Sequence, residues 1–227
     1  MMGEMINLIT KTGPTDAYLA GGDSGGPGVV VIQEWWGLVP HIKDVADRFA
    51  AAGFTAIAPD LYHGASTTEP DGAGKLMMAM NVGVAADDMS AAIAVVQERS
   101  GKTDVGVVGY CMGGGLALVL ACARPDVVKA CAPYYGLIPW ESAAPDWSAL
   151  SAKVVGEYAE FDEYFGPGPA GELQETLRGL GKDATLHIHP GAHHAFFNDA
   201  RPEVYDEAES KIAFARTTDL FHEVLGK

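Results

Sequence analysis

The chain has 227 residues, 48% hydrophobic and 20% charged, with 30 acidic against 15 basic side chains and a formal charge of -15. A chain this long buries about 70% of the surface its unfolded form exposes, so it needs neither disulfides nor a structural metal to fold. Its charge repels phosphate backbones, and no basic cluster denser than Lys43 to Arg48 or Arg99 to Lys102 offsets that, which argues against a nucleic-acid partner.

No apolar run reaches the ~18 residues of a membrane span, and no repeat interrupts the pattern, so one domain over residues 1–227 and no membrane partner are expected. Cys111, Cys122 and Cys131 cannot all pair, and Met1-Met2-Gly3-Glu4 lacks the basic, then apolar start of a secretory signal. The expectation is a reduced, cytoplasmic protein. Oligomeric state is not encoded in any motif, and a monomer is the simplest expectation.

In chain order, Asn7 to Lys11 and Ala17 to Ala20 read as an antiparallel pair of strands. The turn from Gly21 to Pro27 leads into strand Val29 to Gln33, and further strands are expected at Thr55 to Ala58, Val105 to Val108, Val128 to Pro133, Lys153 to Tyr158 and Thr185 to His189. Helical patterns separate them: His41 to Ala52, Gly74 to Met80, Ala85 to Ser100, Gly113 to Ala123, Ala170 to Leu180 and Pro202 to Leu225. Alternation of this kind, with continuous runs such as Val29-Val30-Val31-Ile32, predicts an α/β fold. Its mostly parallel central sheet of about eight strands carries helices on both faces. The stretch Gly64 to Gly74 reads as a rim loop.

Gly22-Asp23-Ser24-Gly25-Gly26-Pro27 spells the nucleophile motif of chymotrypsin-like proteases. Those enzymes place His and Asp before the serine, and no histidine precedes His41, so the segment reads as a turn. The strongest signal is Gly109-Tyr110-Cys111-Met112-Gly113, between an apolar strand and an apolar helix. A nucleophile elbow needs small residues two positions before and after the nucleophile, and the helix that follows aims its dipole at the reacting group. Here a cysteine occupies the nucleophile position, and the dipole favours its reactive thiolate form. The bland alternative is a buried structural cysteine, and the rival Gly-x-Gly-x-x-Gly phosphate loop is not met.

A nucleophile at Cys111 requires an acid and then a histidine in loops after later strands. Asp162 lies in Ala159-Glu160-Phe161-Asp162-Glu163, with Glu160 and Glu163 as rivals; His194 lies in Gly191-Ala192-His193-His194, with His193 as rival. The four histidines between His187 and His194 invite a metal reading, but no carboxylate or thiolate stands at ligand spacing, so no metal is expected. At the end of the third strand, Glu34 precedes Trp35-Trp36-Gly37. In an α/β-hydrolase the backbone N–H there joins that of the residue after the nucleophile to form an oxyanion hole, which points to Trp35 and Met112. A carboxylate at Glu34 is suited to hold the resting thiol by a hydrogen bond.

These residues resemble the dienelactone hydrolases of the α/β-hydrolase superfamily over nearly the whole chain. The motifs that carry the likeness are Gln33-Glu34-Trp35-Trp36-Gly37, Pro59-Asp60-Leu61-Tyr62, Gly109-Tyr110-Cys111-Met112-Gly113-Gly114 and Gly191-Ala192-His193-His194-Ala195-Phe196. The resemblance implies Cys111 as nucleophile, His194 as base, Asp162 as its orienting acid and Glu34 as the thiol's resting partner. His194 is preferred to His193 because a small residue and then Phe follow it. Trp36, Tyr110, Phe196 and Asn198 are weaker candidates for substrate contact.

The implied activity is hydrolysis of esters or lactones through a thioester, without a cofactor and with a small molecule as the partner. One departure stands out. Dienelactone-degrading members hold the substrate carboxylate with two arginines, and the matching places here offer only Lys75 and Asn198, with Arg201 nearby in sequence. That tilts the expectation toward neutral substrates. A broader carboxylesterase or thioesterase, or a silent ligand-binding α/β-hydrolase, is the alternative.

Overall fold

The computed structural model describes residues 3–22, 25–138, 140 and 143–226. Its elements run β1 (Glu4–Thr10), β2 (Gly13–Ala20), β3 (Gly28–Ile32), α1 (Pro40–Ala51), β4 (Thr55–Pro59), α2 (Pro70–Ala79), α3 (Val82–Ser100), β5 (Val105–Tyr110), α4 (Met112–Ala123), β6 (Val128–Tyr134), β7 (Lys153–Phe161), α5 (Pro167–Gly179), β8 (Ala184–His193) and α6 (Glu207–Leu225). The chain divides into two compact units, Met1–Gly106 and Val107–Gly226.

In the first unit the strands lie in the order β1-β2-β4-β3. The expected antiparallel start is present, since β1 pairs β2 and β2 pairs β4 antiparallel, while β3 pairs β4 parallel. All five residues of β3 and of β4 are buried, as a strand covered on both faces requires. α3 starts where Asn81 accepts hydrogen bonds from the N–H groups of Gly83 and Val84, and it ends at Gly101, whose φ of 67° terminates the helix. The second unit carries β5-β6-β7-β8, with β6, β7 and β8 paired in parallel.

Several boundaries depart from the sequence reading for local reasons. α2 begins at Pro70, whose fixed φ suits a first helical turn, so the expected rim loop is shorter than Gly64 to Gly74. α6 begins at Glu207 rather than Pro202, because Asp206 caps it by accepting from the Glu209 N–H. β7 and β8 run three and four residues further than expected, to Phe161 and His193. Asp23 and Ser24 of the protease-like hexapeptide lie outside the described residues. Among the described residues, no single helix is long and apolar enough to cross a membrane.

Candidate active site

The Val-rich strand β5 is buried along its whole length and delivers Cys111 at its end. Cys111 has φ 55° and ψ -118°, a conformation costly for any L side chain and held only where the surroundings dictate it. Those surroundings are backbone. A Cβ on Gly109 would lie 1.9 Å from the Gly113 carbonyl oxygen, and one on Gly136 would lie 1.9 Å from that of Cys111. The Cys111 N–H donates to the Tyr134 carbonyl at 3.0 Å, and its own carbonyl accepts from Gly114 at 2.9 Å. The turn therefore presents a half-exposed free thiol at the head of α4, with Met112 in the helix's first turn. Cys122 and Cys131 are buried, and burial pushes the Cys122 thiol up to about 11.

β7 and β8 deliver the other two groups. The Cys111 Sγ lies 3.3 Å from His194 Nε2, and His194 Nδ1 lies 2.7 Å from Asp162 Oδ2. The Asp162 side chain is fully buried, and its Oδ1 accepts from the N–H groups of Tyr164 and Phe165 at 2.8 and 3.0 Å. Burial works to raise its pKa. The His194 hydrogen bond and charge, helped by those two N–H groups, outweigh it and hold the carboxyl below the ordinary value. Burial of His194 favours the neutral ring, yet Asp162 and Cys111 overcome it and push the imidazole up to about 10.

The rivals stand elsewhere. Glu160 accepts from the Gly191 N–H at 2.8 Å, Glu163 is exposed, and His193 is exposed with its ring against Phe161. Tyr135, Tyr164 and Phe165 surround His194, their ring centroids 5.2, 5.6 and 6.1 Å away. No sequence motif marks these three residues. Their signal was position, since they follow the carboxyl ends of β6 and β7, where open α/β sheets build sites.

Glu34, Trp35 and Trp36 lie in the first unit, in a turn after β3. Glu34 is buried, the two indoles meet edge to face at 5.0 Å, and the Thr67 N–H donates to the Trp36 carbonyl. Gly37 has φ 96°, and a Cβ there would lie 2.6 Å from the Ala65 carbonyl oxygen, so the loop after β4 seats this turn. Gln33 Oε1 accepts from the Leu61 N–H at 3.2 Å, tying the two motifs together. Tyr110, Phe196 and Asn198, expected as weak substrate contacts, are buried instead. Tyr110 stacks on Phe197 and leans on Tyr134, so it packs the floor of the elbow. His189 is held between Glu157 and Glu209, and among the described residues no group of three metal-ligating side chains is disposed around an ion.

Residues 15–225 match the model of the dienelactone hydrolase family. The chain belongs to that family. Relatives of similar length include a protein of Aquifex pyrophilus called Protein usf, 34% identical over 99% of this chain and 100% of its own. A provisionally named carboxymethylenebutenolidase of Aquifex aeolicus is 31% identical over 97% of this chain and 98% of its own. A solved structure, a provisionally named dienelactone hydrolase of Klebsiella pneumoniae, covers 97% of this chain and 98% of its own. It superposes with a TM-score of 0.88 at 24% identity, so it shares the α/β-hydrolase fold.

As a dienelactone hydrolase family member, the chain is a hydrolase acting on ester bonds. The departure noted in the sequence persists in the fold. Lys75 is exposed on α2, Asn198 accepts from the Ala200 N–H, and the Arg201 guanidinium lies 2.9 Å from the Glu203 carboxylate. A guanidinium engaged in that way is partly neutralised before any substrate carboxylate arrives.

Proposed function

We propose that this dienelactone hydrolase family member cleaves neutral carboxylic esters or lactones by covalent catalysis, with Cys111 as nucleophile, His194 as acid and base, and Asp162 as the orienting acid. The observation that carries the reading is the Cys111, His194, Asp162 chain of contacts at 3.3 and 2.7 Å on a strained strand-to-helix turn.

The Cys111 thiolate, paired with the His194 imidazolium, attacks the carbonyl carbon. The carbonyl electron pair moves onto oxygen, where the Met112 N–H at the start of α4 receives it. Collapse breaks the carbon–oxygen bond to the leaving group, which takes its proton from His194 Nε2, and a thioester remains on Cys111. Water then gives a proton to Nε2 as it attacks the thioester, and collapse releases the acid and restores the thiolate. Asp162 accepts from Nδ1 throughout, which keeps Nε2 facing the sulfur. The family resemblance adds the Trp35 N–H as a second oxyanion donor and Glu34 as the resting thiol's partner, in a reduced cytoplasmic setting that preserves the thiol.

The preference for neutral substrates is supported by the formal charge of -15 together with the Asn198 and Arg201 environments. Two arginine contacts to a carboxylate contribute about 1.5 to 3 kcal/mol each, so their loss weakens binding of such an anion by orders of magnitude. The test is a panel of dienelactone, neutral lactones and aryl esters, run on the native protein and Cys111→Ala. The reading expects neutral substrates to be turned over fastest and Cys111→Ala to be inactive on all. Full turnover by Cys111→Ala would remove the nucleophile, and a clear preference for dienelactone would remove the substrate class.

A further inference from the structure

A second acid–histidine pair stands on the two strands that carry the first. Glu157 precedes Asp162 by five positions on β7, and His189 precedes His194 by five on β8. His189 Nε2 lies 2.6 Å from Glu157 Oε2, and His189 Nδ1 lies 2.6 Å from Glu209 Oε2 on α6. Arg216, two helical turns further along α6, donates from Nη1 to the same Glu157 oxygen. The Glu157 side chain is 0% exposed and that of His189 2%, against 21% for Glu209 and 32% for Arg216.

This cluster lies just before a break in the backbone pairing. β7 and β8 stay in regular parallel register through Ala159 opposite His189, and the next pairing is Phe161 opposite His193. Between these two pairings β7 has one residue, Glu160, and β8 has three, among them Gly191 at φ 74°. A bulge of this kind re-aims the strand beyond it, and the pairing of Phe161 with His193 then resumes directly before His194.

Side chains bridge the gap. The Phe196 ring lies over His189 at 4.5 Å, and the Phe196 carbonyl accepts from both Ser210 Oγ and the Asp206 N–H at 2.9 Å, at the start of α6. Tyr135 touches Phe196 at 5.5 Å and His194 at 5.2 Å, and its N–H donates to the Glu157 carbonyl at 2.7 Å. Resting on the thiol reading of the site, we propose that the Glu157, His189, Glu209 and Arg216 quartet, buried at Glu157 and His189, is the positioning group of the hydrolase, tying β8 to β7 and α6 just before the bulge and, through Phe196, setting how His194 meets Asp162 and Cys111.

The charges fit that role. Burial opposes a cationic His189, but Glu157 and Glu209 outweigh it and raise its pKa. Burial also raises the Glu157 carboxyl, and the four groups are linked by hydrogen bonds, so each is costly to remove singly. The groups facing His189 are Glu157 on β7, Glu209 and Arg216 on α6, and His187 on its own strand.

The test compares native protein, His189→Gln, Glu209→Gln and Cys111→Ala on p-nitrophenyl acetate, with thermal melting to confirm folding and the pH profile of kcat as a second readout. His189→Gln is expected to lower kcat by about 10- to 100-fold, the scale of a small misplacement of a catalytic group. KM should stay within about twofold, because ground-state binding is untouched. The alkaline limb of the profile should move to lower pH as the Asp162 contact loosens. Glu209→Gln, at a half-buried site, should show the same shift with a smaller loss of kcat. A merely structural cluster would lower the melting temperature and leave kcat per folded molecule and the pH limb unchanged, and that result overturns the proposal. Where His189→Gln does not fold, the Glu209→Gln profile decides alone. An active Cys111→Ala instead removes the catalytic reading, whereas an inactive Cys111→Ala beside a native-like His189→Gln removes only the positioning role.

Discussion

In the proposed mechanism two acid–histidine pairs, one just past the ends of β7 and β8 and one within them, put one chemistry to opposite uses. In the upper pair His194 spends one nitrogen on Asp162 and turns the other, at a side-chain exposure of 20%, to the Cys111 sulfur. In the lower pair both nitrogens of His189 are spent on carboxylates and the ring is sealed. A histidine becomes a proton shuttle when one of its nitrogens is left for a reacting partner, and a strut when neither is. The difference is set by what each pair meets: a thiol beyond the strand ends, and a helix with its guanidinium within the strands.

Removing the upper pair should cost most. His194→Ala is expected to lower kcat on an aryl ester by about 10³-fold, the range of a lost general acid and base. Asp162→Asn should cost about 10²-fold or more through the wrong tautomer, while Glu163→Gln stays near native, as steady-state kinetics on the three variants will show. A native-like Asp162→Asn would hand the orienting role to Glu160 or Glu163. The pH profile sharpens the contrast further. Because the His194 pKa is raised to about 10, its proton is present through neutrality, and activity should fall as pH rises through about 10. The sign for stability is the same: the raised pKa stabilises the fold fully below the ordinary 6.5 and this contribution fades toward about 10, measurable as a falling melting temperature. The smallest effect concerns the other cysteines. Iodoacetamide should label Cys111 first, with Cys122 and Cys131 modified only on unfolding, as peptide mapping would report.

Much of this site was legible in the residues. Gly109, Cys111 and Gly113 announce the elbow because a turn that tight excludes a Cβ, chain order points to the loops that hold Asp162 and His194, and the family resemblance selects His194 over His193. The alternation of strands and helices carried the fold class in the same way. Contacts that depend on register could not be read. Nothing in Thr185 to His189 told that β8 would slip past β7 by two residues, or that His189 would find Glu209 on the helix after the next loop. Tyr110 and Phe196, weaker candidates for substrate contact, are buried among packed aromatic rings, which the sequence alone does not disclose.

In the proposed mechanism hydrolysis passes through a thioester on Cys111. Its most direct measurement is rapid acid quench of the protein during turnover of p-nitrophenyl acetate, followed by intact mass and peptide mapping. A thioester intermediate adds the mass of one acetyl group to the peptide holding Cys111, absent in Cys111→Ala and more persistent in His194→Ala once formed. An acetyl group mapped to another residue in the native protein, or unchanged turnover by Cys111→Ala, would contradict it.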